Sequence, residues 1–126
     1  MEDTLGKPNI NFSCVEDTDN PEQLEFFKKQ RLERGFDDTE TWNLDVTISK
    51  FIVPRLKRYK ELNNGIPSQF TSKEEWDKIL DEMIEGLELY EDKWKINTDQ
   101  NLTNLDEYKR KRAIKLLGEY FTDLWW

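Results

Sequence analysis

The sequence predicts an all-α protein, a helical bundle of about four helices, on three observations. Apolar residues recur at spacings of three and four in four separate stretches, which is the period of an amphipathic helix and not of a strand. Residues typical of helix ends, such as Asn20, Pro21 and Gly35, separate these stretches. The 126 residues include five Trp, seven Phe and four Tyr, which is enough aromatic surface for a core. We therefore expect a bundle without a sheet.

The first helix is predicted to begin after Asn20 and to end at Gly35. Asn20 is a suitable N-cap, and Pro21 fits the first turn because its missing amide would have no partner there. Residues 1–19 show neither a helical nor a strand period. We therefore expect a flexible N-terminal tail, followed by a single helical domain over residues 20–126.

Residues 36–65 are predicted to form a long amphipathic helix around which the bundle is organised. Asp37 and Glu40 match a capping box at its start, and Gly65 would supply the left-handed position at its end. Pro54 removes an amide donor and clashes with the preceding turn, so a kink or a break is expected there. The residues of the predicted apolar arc are Leu44, Ile48, Phe51, Ile52, Leu56, Tyr59 and Leu62.

Two further helices follow the central one. The third is predicted to begin with Thr71 as its cap and Glu74 in the capping-box position. Its apolar stripe extends from Trp76 to Trp94 at regular helical spacing. A polar loop over residues 97–104 leads to the last helix, which continues towards the end of the chain.

Composition excludes several classes of protein. One Cys and no His rule out a disulfide framework, an ordinary zinc site and a Ser-His or Cys-His nucleophile pair. No apolar run approaches the length of a transmembrane helix, and no signal peptide is recognised. We therefore expect a cytoplasmic, non-enzymatic protein without a metal, a cofactor or a membrane partner.

Charge is distributed unevenly along the chain. Residues 51–66 contain one acidic and four basic residues, and residues 108–126 contain two acidic and five basic residues. Each segment therefore carries a net charge of +3, whereas the net charge of the whole chain is −8. A net-acidic protein lacks the broad positive footprint needed for direct nucleic-acid binding. The two basic segments could nevertheless each hold a discrete anion.

Antiparallel packing of neighbouring helices would bring these basic segments against aromatic residues at the two ends of the bundle. We predict that such a cluster forms a pocket for a planar anion, with rings stacking a base and cations holding phosphate. The predicted ligand-binding residues are Arg55, Arg58, Tyr59, Trp76 and Trp126 at one end, and Asp45, Lys109 and Arg112 at the other. The same clusters could instead cap the core, with Arg stacked on Trp.

An acidic stripe on the third helix indicates a different function. Its residues are Glu74, Asp81, Glu85, Glu88 and Asp92. Such a row could imitate a phosphate backbone and occupy the nucleic-acid groove of another protein, or it could be a solvated surface. Residues 81–85 are also similar to the carboxylate-rich helix of all-α nucleotide pyrophosphatases, whose side chains bind magnesium. The last helix, however, offers no matching acidic pair.

Several short segments together form a specific pattern. They are Arg34-Gly35-Phe36, Trp42-Asn43-Leu44-Asp45, Pro54-Arg55-Leu56-Lys57, Gly65-Ile66-Pro67, Glu74-Glu75-Trp76-Asp77, Asp81-Glu82-Met83-Ile84-Glu85 and Leu124-Trp125-Trp126. In these segments the chain resembles a group of small uncharacterised bacteriophage proteins. The resemblance implies an accessory protein that acts in the cytoplasm of an infected bacterium, where such proteins often counter host defence.

The sequence therefore favours a non-enzymatic phage accessory protein that sequesters a small anionic ligand, such as a nucleotide immune signal. The alternative is an acidic protein–protein inhibitor of a nucleic-acid-binding host defence protein. A metal-dependent all-α nucleotide hydrolase is the third hypothesis. Homo-oligomerisation is compatible with all three.

Overall fold

The computed structural model describes residues 12–15, 19–91 and 104–125. The α-helices in these ranges are α1 (Pro21–Arg34), α2 (Leu44–Leu62), α3 (Lys73–Glu91) and α4 (Asn104–Glu119), with short 3-10 helices at Asp38–Thr41 and Phe121–Asp123. The described residues contain no strand, so the predicted all-α fold is confirmed. No helix among them is long and apolar enough to cross a membrane. The chain divides into two compact units, Met1–Lys50 and Phe51–Trp126.

The predicted bounds of α1 are confirmed by its capping geometry. The side chain of Asn20 accepts a hydrogen bond from the backbone N–H of Glu22 at 2.8 Å, and Pro21 occupies the first turn. Gly35 ends the helix with φ = 89°, a left-handed conformation that favours glycine. These signals act within one or two turns of the chain, which is why the sequence alone predicts them.

The first unit is organised by a buried polar network. Arg31 is the one buried residue of α1, and its guanidinium donates to the carboxylate of Asp37, which is fully buried. Asp37 also accepts hydrogen bonds from Ser13 Oγ at 2.6 Å and from Thr39 N at 2.8 Å. This network joins α1, the 3-10 turn and residues 12–15.

Residues 12–15 were predicted to belong to a flexible tail, but they are hydrogen-bonded to the 3-10 turn. Phe12 N donates to Glu40 Oε1 and Cys14 N donates to Thr39 Oγ1, both at 2.8 Å. The partners are more than twenty positions apart in sequence, so no local pattern indicates them. Residues 1–11 and 16–18 of the predicted tail lie outside the described residues.

The central helix is shorter than predicted. The capping box of Asp37 and Glu40 forms, but it caps the 3-10 helix, and the α-helix begins only at Leu44. Helix α2 continues through Pro54, so the chain does not break there, and a bend at this proline stays a prediction. The 3-10 turn therefore replaces the predicted first turns of the long helix.

The end of α2 depends on an asparagine and not on the predicted glycine. Among the described glycines, Gly35 alone has a positive φ, so Gly65 does not supply a left-handed cap. The buried side chain of Asn63 instead accepts from Gly65 N at 3.1 Å and donates to Gly65 O at 2.8 Å. These two hydrogen bonds close a turn after Leu62 and satisfy the buried side-chain amide of Asn63.

The buried face of α2 matches the predicted apolar arc only in part. Its buried residues are Val46, Ser49, Val53 and Leu56, and of these only Leu56 belongs to the predicted arc. Ile52 and Tyr59 of the arc are partly buried and pack against the core of the second unit, whereas Leu44, Ile48, Phe51 and Leu62 are exposed. Residues on both faces recur at spacings of three and four, so periodicity alone could not decide which of them become buried.

The core of the second unit is built from α2, α3 and α4. Its buried residues are Val53, Leu56, Trp76, Leu80, Met83, Ile84, Leu87, Ala113 and Leu116. The predicted stripe of α3 supplies most of them. Helices α3 and α4 approach each other closely at Gly86, where an added methyl group would overlap Lys109 O and the Cβ of Ala113.

The start of α3 differs from the predicted capping box by one residue. Ser72 Oγ accepts from Glu75 N at 3.2 Å, and the Glu75 carboxylate accepts from Thr71 Oγ1 at 2.8 Å. Glu74, the predicted capping-box residue, is exposed. Either of two adjacent hydroxyl residues could have capped this helix, and the sequence does not distinguish them.

Pro54→Ala is expected to be tolerated or to raise the melting temperature slightly, because an alanine N–H restores a hydrogen bond within a continuous helix. Thermal melts followed by circular dichroism measure the effect. Pro67→Ala is the control, since this loop proline gains no helical bond and its loss makes the unfolded chain more flexible. A clearly lower melting temperature for Pro54→Ala would mean that the fold requires a bend at this position.

Candidate functional site

The two arginines of the predicted anion site are exposed, and each contacts a residue of its own helix. Arg55 is exposed, with its guanidinium 4.0 Å from the centroid of the Phe51 ring, and it donates to Phe51 O at 2.7 Å. Arg58 is exposed as well and donates to Glu61 Oε2 at 2.7 Å. Each guanidinium therefore contacts a residue of its own helix, and none of these contacts is with a tryptophan.

Trp76 has no free face on which a base could stack. It is fully buried in the core of the second unit. Its ring lies 5.4 Å from that of Phe70 and 5.7 Å from that of Tyr120, measured between centroids. The predicted stacking role for Trp76 is therefore wrong, because its side chain is required for packing.

The cation–aromatic pair at the other predicted end is formed by a different residue. Arg110 places its guanidinium 4.1 Å from the centroid of the Tyr90 ring. Lys109 is exposed, and Arg112 lies 3.5 Å from Glu82 on α3. Helix α4 therefore presents a cation to an aromatic ring of α3, but this cation is Arg110 and not the predicted Lys109 or Arg112.

Three further predicted site residues are Asp45, Asp92 and Trp126. Asp45 lies in the first unit, where its carboxylate accepts from Val46 N at 2.9 Å. Trp126 and Asp92 lie outside the described residues.

The acidic stripe of α3 is partly neutralised within the protein. Asp81 pairs with Lys60 and Glu88 pairs with Lys57, each at 2.8 Å. The hydrogen bonds that these two lysines donate to the carboxylates raise the pKa of both lysines. The described stripe residues that remain exposed are Glu74 and Glu85. The stripe therefore presents fewer uncompensated carboxylates than the sequence predicted, which weakens its resemblance to a phosphate backbone.

The magnesium-dependent hydrolase hypothesis gains no support from the described part of the chain. No group of three or more Asp, Glu or Cys residues in it is arranged to hold a metal ion. Glu82, which belongs to the carboxylate-rich segment, lies beside the cation of Arg112.

A cleft of about 470 Å³ opens in the second unit, at the end of the bundle where the sequence predicted a pocket. It lies between the end of α2, the loop that leads to α3 and the C-terminal segment. Its lining consists of Tyr59, residues 63–68, Asp123 and Trp125. Of the described residues that were predicted for this end of the bundle, Tyr59 is the one that lines it.

Tyr59 ties α2 to the C-terminal segment. Its hydroxyl accepts from Asn63 Nδ2 at 3.2 Å and donates towards the carbonyl oxygens of Asp123 and Trp125, at 3.2 Å and 3.1 Å. Burial raises the pKa of Tyr59, so its phenol stays protonated at neutral pH. The wall of the cleft that carries Asp123 and Trp125 is thereby held in position.

The lining combines apolar surface with a carboxylate. The side chain of Trp125 is 74% exposed, and Ile66 and Pro67 add further apolar surface. Asp123 accepts from Gln69 Nε2 at 3.2 Å. The described lining residues include this carboxylate but neither Lys nor Arg. The described lining is therefore suited to an apolar group accompanied by a cation, and its charged residue is an acid where the prediction placed bases.

Comparison of the chain with protein-family models, curated proteins and solved structures finds no match. The cleft is therefore interpreted from its own chemistry. The sequence contained partial signals for it, namely the turn residues Asn63 to Gly65 and the aromatic residues near the end of the chain. Asp123 carried no signal, because its role depends on the fold of the C-terminal segment.

Proposed function

We propose that the protein is a non-enzymatic binding protein whose cleft takes a basic segment of a partner protein. An apolar side chain of that segment packs against Trp125, and an adjacent Lys or Arg pairs with Asp123. The observation that carries the proposal is the presence of an exposed tryptophan and a carboxylate in one cleft without a described cation in its lining.

The apolar part of the proposal follows from the exposure of Trp125. Tryptophan is among the residues most enriched at the energetic centres of protein interfaces. A cleft of about 470 Å³ lies within the usual range for ligand pockets and would enclose a side chain rather than a whole domain. Because Tyr59 fixes the C-terminal wall, little ordering is required on binding, which favours affinity.

The basic part of the proposal follows from charge. A cation beside Asp123 would form a charge-assisted hydrogen bond, whereas a phosphate would face a carboxylate in a lining whose described residues supply no Lys or Arg. The net charge of −8 also attracts a basic partner at long range. The nucleotide-sequestration hypothesis is therefore less well supported than the protein-binding alternative.

Nucleic-acid-binding proteins have the positive surfaces that such a cleft requires. The resemblance to small phage proteins supports a host protein of this kind as the partner, in the cytoplasm of an infected bacterium. Inhibition of a nucleic-acid-binding host defence protein is the function we infer on these grounds.

The cleft is tested by isothermal titration of the full chain with a capped peptide of alternating arginine and leucine. A peptide of alternating glutamate and leucine and a panel of linear and cyclic nucleotides are titrated in parallel. We expect the basic peptide to bind and Asp123→Asn to weaken it by about tenfold or more, the scale of a hydrogen bond to a charged group. Trp125→Ala should weaken it as well, through loss of apolar contact.

Glu85→Gln is the matched control, since this exposed carboxylate lies on the acidic stripe of α3 and not in the cleft. It should leave peptide affinity unchanged. If Glu85→Gln weakened binding and Asp123→Asn did not, the acidic stripe would be the binding surface. Binding of a nucleotide in place of the basic peptide would reject the proposal in favour of ligand sequestration.

A further inference from the structure

The described residues of the first unit leave an aromatic surface exposed. Phe26 is 51% exposed and Trp42 is 63% exposed. Phe27 connects them, with its ring centroid 5.5 Å from Phe26 and 6.4 Å from Trp42. Contiguous exposed aromatic rings of this kind are typical of interaction sites and uncommon on the free surface of a soluble protein.

Helix α1 contributes no buried apolar residue to the unit. Its buried residue is Arg31, which serves the polar network with Asp37. Most helices in proteins are stabilised by packing of an apolar face and not by intrinsic propensity. Because α1 buries no apolar side chain, it has a face available for a further contact.

The outward face of α1 carries charges of opposite sign on the two sides of Phe26. Glu22, Phe26, Lys29 and Glu33 follow one another at spacings of four, three and four, and all are exposed. Lys29 and Glu33 lie 3.8 Å apart in a solvent-exposed pair, which contributes little to stability. Lys29 can therefore accept a second carboxylate without losing a strong partner.

This arrangement is complementary to itself under a two-fold rotation. In an isologous contact, residue i of one copy meets residue j of the other and the reverse also holds. At a rise of about 1.5 Å per residue, Glu22 lies about 6 Å before Phe26 and Lys29 about 4.5 Å after it. When two α1 helices pair antiparallel with their Phe26 rings on the axis, each Glu22 comes close to the Lys29 of the other copy. A parallel pairing would instead oppose like charges.

We propose that α1 is a self-association surface and that its occupant is a second copy of this chain. The two copies pair through antiparallel α1 helices, with Phe26 at the centre, Trp42 at the side and two Glu22–Lys29 pairs between the copies. This inference concerns the first unit and does not rest on the function proposed for the cleft of the second.

The test is analytical ultracentrifugation of the full chain over a wide range of concentrations. We expect a monomer–dimer equilibrium, and Phe26→Ser should shift it to monomer. Glu22→Lys and Lys29→Glu should each raise the dimer dissociation constant roughly tenfold, because two pairs per dimer change from attraction to repulsion. Circular dichroism verifies that each variant keeps its helices.

A mixture of the Glu22→Lys and Lys29→Glu proteins should recover the parental dissociation constant, because each new lysine then meets a new glutamate. Lys28→Glu is the control for charge, since this exposed residue lies off the outward face and should have little effect. A parent that stays monomeric throughout overturns the proposal. So does a dimer that Phe26→Ser leaves intact, or a mixture that fails to restore association.

Discussion

Gly86→Ala is expected to lower the free energy of unfolding of the second unit by about 3 kcal/mol or more, at the upper end of the cost of overpacking. The added methyl group would overlap the carbonyl oxygen of Lys109 and the Cβ of Ala113 on α4. A backbone carbonyl cannot rotate away as a side chain can, so the two helices must move apart. Alanine is favoured over glycine within a helix by about 0.5–1 kcal/mol, which offsets only part of this cost.

Gly118→Ala is the matched control for this prediction. Gly118 lies in α4 and nothing approaches the position of its Cβ within 4 Å, so the same substitution should stabilise the protein by about 0.5–1 kcal/mol. Urea unfolding followed by circular dichroism measures both variants. If Gly86→Ala were as stable as Gly118→Ala, helices α3 and α4 could not pack as closely as the structure describes.

Asp37→Asn is expected to lower the free energy of unfolding of the first unit by about 3–5 kcal/mol, because it removes a buried carboxylate that pairs with the buried cation of Arg31. The amide is almost the same size as the carboxylate, so the effect reports charge and hydrogen bonding and not a cavity. Asp38→Asn is the control. Asp38 pairs with Arg34 at the exposed surface, where loss of an ion pair should change stability little.

The same network predicts a dependence on pH. Burial raises the pKa of Asp37, but hydrogen bonds from Ser13, Thr39 and Arg31 outweigh it, and the pKa lies below its ordinary value. A carboxyl group whose pKa is lower in the folded protein contributes its full stabilisation at pH values above its pKa in the unfolded chain, which is about 3.9. This contribution is lost as the pH falls through the lower pKa of the folded protein. We therefore expect the free energy of unfolding of the parent to decline as the pH is lowered from neutrality to 3. The decline should be smaller in Asp37→Asn. Equal declines in the two proteins would mean that Asp37 is not the responsible group.

The features that the sequence determined by itself are those with local causes. The bounds of α1 followed from Asn20, Pro21 and Gly35, because a cap or a left-handed glycine acts within a single turn. The capping box of Asp37 and Glu40 was predicted for the same reason. The stripe of α3 was also predicted correctly, since this helix has one markedly apolar face and no second stripe competes with it.

Contacts between elements were decided by the tertiary structure alone. The buried residues of α2 overlap the predicted apolar arc only in part, because burial depends on how closely other elements approach the helix and not on hydropathy alone. Arg55 lies over the ring of Phe51, a contact that the sequence did not predict, while Trp76 was expected at a cleft and instead fills the core. Asp123 lines the cleft because Tyr59 holds the backbone of the C-terminal segment against α2. These hydrogen bonds join residues more than sixty positions apart, and such a contact produces no periodic pattern in a sequence.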